Sequence, residues 1–149
     1  YIRELIFTQN ILGETMETSV PWSKINKVKT EAHNLLNELH KKHNLPGKPF
    51  FTSRISKIYH TGVCMYNTIA MCYDGVENPE DVFTKIEYSM RENFIKNGGS
   101  ISHHHGVGKL RKDFMKETIS DGSVSLIQGI KKDQDPKNIF GVNNNIVNN

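Results

Sequence analysis

Apolar residues recur at spacings of three and four through Trp22, Ile25, Val28, Ala32, Leu35, Leu36 and Leu39. That period predicts one buried helix face over about residues 21–43, with Pro21 in the first turn, where its missing N–H breaks no bond. Lys27, Lys29, Lys41 and Lys42 form the solvated side, and His40 and His43 are read with them. A second helix begins at Asn78-Pro79, with Asn78 as N-cap and Glu80 and Asp81 in the first turn. Its apolar face is Val82, Phe83, Ile86, Met90 and Phe94, and Gly98-Gly99 stops it.

Between these helices the period drops to two. Residues 44–49 (NLPGKP) are a loop, and residues 50–60 and 63–73 read as strands around His60-Thr61-Gly62. On the second strand, Val63, Met65, Ile69, Met71 and Tyr73 share one parity; Cys64, Tyr66, Thr68, Ala70 and Cys72 share the other. The first set suits packing against helices. The second is small and mildly polar apart from one phenol, which marks a face that something else can approach. Residues 11–19 are also extended, and a short helix near 122–133 carries Val124, Ile127 and Ile130 before Asp135-Pro136 breaks it. Five of the last seven residues are Asn, a low-complexity tail. The order predicts an α+β fold, an antiparallel sheet with helices on one face.

A length of 149 residues makes a second complete domain unexpected. No run approaches the ~18 apolar residues of a membrane span, and no secretory opening is present. The formal charge of +3 is too mild for a nucleic-acid partner, which demands a concentrated basic face. Cys64 and Cys72 are too few for a disulfide framework and are expected as structural free thiols in a reducing compartment. The chain opens on Tyr1, so a fragment of a longer protein is expected.

The densest candidate chemistry is Ser102-His103-His104-His105-Gly106-Val107-Gly108-Lys109-Leu110-Arg111-Lys112. If extended, this run points His103 and His105 one way and His104 the other. Two imidazoles on one face can exchange protons or hold an anion. A metal needs three or four ligands, and no acidic or cysteine partner is near in sequence, so no metal is assigned. Gly106 to Lys109 resembles a phosphate loop only in part, because His103 stands at the first glycine position and Leu110 at the Ser/Thr position. A turn ahead of a short basic helix explains it equally well. Residue patterning alone ends at an α+β piece with a histidine-rich, glycine-flanked candidate site.

The run GGSISHHHGVGKLRK (98–112) resembles the signature of the alkyldihydroxyacetonephosphate synthase (alkylglycerone-phosphate synthase) family. YIREL (1–5), LGETMETSVPW (12–22) and DPKNIFG (135–141) resemble the same family in the same order. The resemblance implies a flavoprotein of the vanillyl-alcohol-oxidase type, with an FAD-binding domain upstream and residues 1–149 as the C-terminal cap and catalytic part. These residues alone are then expected to be inactive. The implied reaction exchanges the acyl group of acyl-dihydroxyacetone phosphate for a long-chain fatty alcohol, through a covalent flavin–substrate adduct without net redox. A flavin-dependent oxidase or dehydrogenase of a small hydroxy acid is the alternative.

By the same resemblance, Tyr66 is the active-site tyrosine, and His103, His104 and His105 are the essential histidine run. Arg3 is the arginine that clamps the substrate phosphate. A homodimer, peripheral membrane contact and a peroxisomal location are implied too, although the final Val-Asn-Asn is not a peroxisomal tripeptide. Asn67 and Thr68 follow Tyr66 where the family carries bulkier aromatics, which predicts a differently shaped pocket.

Overall fold

The computed structural model describes residues 2–142 and 144, except for the side chains of Ile2 and Arg3. The chain forms two compact units, residues 1–100 and 101–149. In the first, helix α1 (Ile2–Thr8) leads into strand β1 (Ile11–Pro21), a 3-10 turn (Trp22–Lys24) and helix α2 (Ile25–Lys42). Strands β2 (Phe50–Ile58) and β3 (Gly62–Cys72) follow as a hairpin, and helix α3 (Pro79–Lys96) closes the unit. The second holds a 3-10 segment (Lys112–Glu117) and helix α4 (Asp121–Gln134).

The sheet order is β1-β3-β2, antiparallel throughout, which places the small-residue strand at the centre. One face of β3 (Val63, Met65, Ile69 and Met71) joins Met16 and Val20 of β1, Val28, Ala32 and Leu36 of α2, and Ile86, Met90 and Phe94 of α3 in a single core. The expected α+β architecture and the parity of β3 are both observed. The reason is elementary: a strand of period two buries alternate residues, and a helix of period 3.6 buries every third or fourth.

Several details depart from the sequence expectation. Pro21 ends β1 rather than entering a helix, and the 3-10 turn precedes α2. Trp22 is therefore off the helix face and about half exposed; its indole N–H donates to the carbonyls of Tyr59 and His60 at 3.2 and 3.1 Å, tying down the β2–β3 hairpin. His40 is buried rather than solvated, because it lies four residues after Leu36 and extends the same stripe. Asn78 does not cap α3 with its side chain. It takes a left-handed conformation (φ 51°) that Asn tolerates, and its carbonyl accepts from Asp81 and Val82. Glu87 and Arg91, four apart on α3, form a buried ion pair that the apolar stripe gave no hint of.

The Gly98-Gly99 stop is observed as a full C-cap. Gly98 has φ +83°, its N–H bonds the Ile95 carbonyl and the Gly99 N–H bonds the Phe94 carbonyl, each at 2.8 Å. Gly62 serves a different need: a Cβ there would lie 2.1 Å from the Val20 carbonyl oxygen, so only glycine lets β1 approach the start of β3.

In the second unit, Met115 and Val124 are buried and Ile101, Val107, Ile119 and Ile127 pack on them. Ile130, expected on the buried face of this helix, is instead exposed. Ser120 caps α4 by accepting from the Ser123 N–H at 3.2 Å.

Candidate functional site

Tyr66 sits at the middle of β3, on the face turned away from α2 and α3, and is half-buried. Register places Glu17 of β1 opposite it on one side and Arg54 of β2 on the other. Side chains in register point to one face, so Glu17, Tyr66 and Arg54 form a row across the three strands. The Arg54 guanidinium carbon lies 4.9 Å from the centre of the Tyr66 ring, a cation–π stack. Glu17 is only 3% exposed. Sequence reasoning found Tyr66 but neither flanking residue, because strand pairing is not visible in a single strand's pattern.

Two positions along the strand from Tyr66, the same face becomes a cleft of about 440 Å³ between α1 and the sheet. Phe7, Gly13, Thr15, Phe50, Thr68 and Ala70 line it. The small residues of β1 and β3 leave the room, and the two phenylalanines supply apolar walls. Thr68, one of the two residues expected to reshape the pocket, is therefore a wall of this cleft. Asn67, the other, is not: it is fully buried on the opposite face, with its amide donating to the Met16 carbonyl at 3.3 Å. One-residue alternation sends the two neighbours to opposite sides.

Cys64 and Cys72 are unpaired thiols, as expected. Burial pushes the Cys64 thiol up, a hydrogen bond with Ser56 opposes this, and the Glu17 carboxylate adds to the rise. A thiol held protonated in this way is a poor nucleophile.

The histidine run belongs to the second unit and is a bend rather than an extended strand. The expected alternation of ring directions is accordingly not observed. Nδ1 of His103 and Nδ1 of His104 lie 2.9 Å apart, with their rings edge to face at 5.2 Å. His105 follows edge-on to His104 at 4.6 Å between ring centres. All three are exposed. A hydrogen bond between two ring nitrogens requires one to donate and the other to accept.

Arg111 holds this loop. It is 7% exposed, its guanidinium donates to the Gly106 carbonyl at 3.1 Å, and its own N–H bonds the Val107 carbonyl. The glycines around it, Gly106 at φ +76° and Gly108 at φ +55°, give a turn that continues into the 3-10 segment, the structural reading of the partial phosphate-loop pattern. Arg3 lies outside the described side chains.

The segment after α4 is locked by Asp135. Its carboxylate accepts from the Ile139 and Phe140 N–H groups at 2.9 Å each and from the Lys131 ammonium. The Lys131 hydrogen bond foremost, then the Ile139 N–H, hold the Asp135 carboxyl down at about 2. A lowered carboxylate contributes stability above its ordinary pKa near 3.8 and loses it as pH falls through about 2. The Ile139 and Phe140 amide resonances should therefore stay constant from neutral pH to about 4 and move with a midpoint near 2. A midpoint near 4 in an NMR titration would remove the lock.

The first unit is thus an antiparallel sheet with α2 and α3 on one face and a small-chained, phenol-bearing face on the other. Residues 2–143 match the FAD linked oxidases, C-terminal domain, and the chain belongs to that family. Among relatives, alkyldihydroxyacetonephosphate synthase of Caenorhabditis elegans is 36% identical over 140 residues, covering 94% of this chain and 24% of that protein. The protein of the same name in Dictyostelium discoideum is 30% identical over 141 residues, covering 93% of this chain and 22% of its own length. A solved structure of alkyldihydroxyacetonephosphate synthase superposes with a TM-score of 0.63 at 21% identity, over 93% of this chain and 22% of that one. That likeness establishes the fold. The chain spans about a quarter of the length of these relatives.

Proposed function

We propose that this chain is the C-terminal cap and catalytic part of an alkyldihydroxyacetonephosphate synthase, with an FAD-binding domain upstream. The observation that carries the reading is the identity, across nearly the whole chain, with relatives of that name. Tyr66 on an approachable sheet face and the coupled histidine run agree with it. The substrates are then acyl-dihydroxyacetone phosphate and a long-chain fatty alcohol, and the products are alkyl-dihydroxyacetone phosphate and a fatty acid. Peroxisomal location, a homodimer and peripheral membrane contact belong to this reading as family properties. Among the described residues, no helix is long and apolar enough to cross a membrane.

The residues present fit a flavin in part. The described residues hold no parallel βαβ unit to bind a dinucleotide, so the nucleotide end falls to the upstream domain. The face around Tyr66, where Gly13, Thr15, Thr68 and Ala70 keep side chains small, suits close approach by a flat ring system. When bound, FAD supplies covalent and electron-accepting chemistry at the substrate carbon with no net change of oxidation state over the cycle.

The chain's own residues do the proton work. The Tyr66 phenol exchanges a proton at the substrate carbon or its leaving oxygen. The His103–His104 pair accepts the proton of the incoming alcohol, and Arg3 clamps the phosphate.

The test is an assay of the full-length protein with acyl-dihydroxyacetone phosphate and hexadecanol, following fatty-acid release and ether product with no electron acceptor. Acceptor-free turnover is expected. Turnover of a hydroxy acid only when an acceptor is added would replace the synthase with the oxidase reading.

A further inference from the structure

Arg54 is the cation in the Tyr66 row that the proposed mechanism leaves unused. It lies on β2, an edge strand, and its side chain is exposed. Its guanidinium stacks on the Tyr66 ring at 4.9 Å. A guanidinium held over a ring face carries five N–H donors, more than that contact uses. Among the described residues Arg54 makes no ion pair and no hydrogen bond, whereas the buried arginines Arg91 and Arg111 are both engaged. Glu17 forms no ion pair with it; the two lie on the outer strands of the row, whose backbones are on the order of 9–10 Å apart at one strand spacing per step.

From this placement we propose that Arg54 holds an oxyanion of the substrate beside Tyr66, with the contact to the phenol ring restricting the guanidinium so that its N–H fork is preset. A preset fork binds a phosphate or carboxylate bidentately with little loss of side-chain freedom. Two oxyanions pass through such a reaction, the phosphate of the dihydroxyacetone unit and the carboxylate of the released fatty acid. This inference rests on the synthase reading for its substrates, though not for the anion site itself.

The test uses the full-length protein as parent, Arg54→Met and Arg54→Lys. Arg54 is exposed, so both variants should keep the parent's melting temperature. Inorganic phosphate and octanoate are titrated by calorimetry and tested as inhibitors, alongside KM and kcat. Arg54→Met is expected to weaken one of the two probes at least tenfold and to raise KM more than it lowers kcat; Arg54→Lys, which keeps charge without the fork, should recover part of the loss. Weakened phosphate assigns the phosphate, and weakened octanoate assigns the carboxylate. Unchanged affinity for both probes in Arg54→Met overturns the proposal, as does a fall in kcat with KM unmoved. If the parent makes no ether product, the synthase reading fails, and the calorimetric titrations still decide Arg54.

Discussion

Replacing Tyr66 by Phe in the full-length enzyme should lower acceptor-free ether formation by about 10²–10⁴-fold, the range expected for loss of a general acid or base. The substitution removes one oxygen and retains the ring that stacks under Arg54. Tyr66 is half-buried and its ring edge is not part of the helix-side core, so fold and melting temperature should hold. The flavin spectrum should hold as well. The loss should fall on kcat and kcat/KM together, because a proton transfer is made only in the transition state. Turnover of Tyr66→Phe at the parent rate would take the phenol out of the mechanism and leave Tyr66 as a platform for Arg54.

The histidine run should respond as a coupled pair followed by a weaker third member. His103 and His104 share one hydrogen bond between ring nitrogens, so losing either ring removes that bond from the other. Each alanine substitution is expected to cost on the order of 10²–10⁴-fold, and the double variant no more than the worse single, since groups acting as a unit are not additive. His105 meets His104 through its ring edge, so His105→Ala should be the mildest of the three. Additive losses at His103 and His104 in a double-mutant cycle would mean that the two rings work independently.

Sequence legibility followed how local each determinant was. The helices α2 and α3, both hairpin strands and the break at Asp135-Pro136 were readable because their signals lie within one turn or one strand. Helix α1 was not read: it is seven residues long, too short for a stripe to stand out. His40 is expected in solvent by residue type, yet it is buried because it lies four residues after Leu36 on the apolar stripe. The alternation expected at 103–105 failed because two left-handed glycines just downstream and the Arg111 anchor hold the run in a bend.

By itself, the sequence determined which residues alternate, which faces are apolar and where the chain must turn, since these depend on neighbours a few positions away. It thereby placed Tyr66 on the small-chained face and marked the histidine run as chemistry. Only the tertiary structure decided that β3 is central, so that Glu17 and Arg54 flank Tyr66 from two other strands. It also decided that Asn67 faces the core while Thr68 faces the cleft, and that Glu87 and Arg91 are buried together. The physical reason is common to all of these. Register and burial are set by contacts between segments tens of residues apart, and no periodicity within one segment encodes its partner.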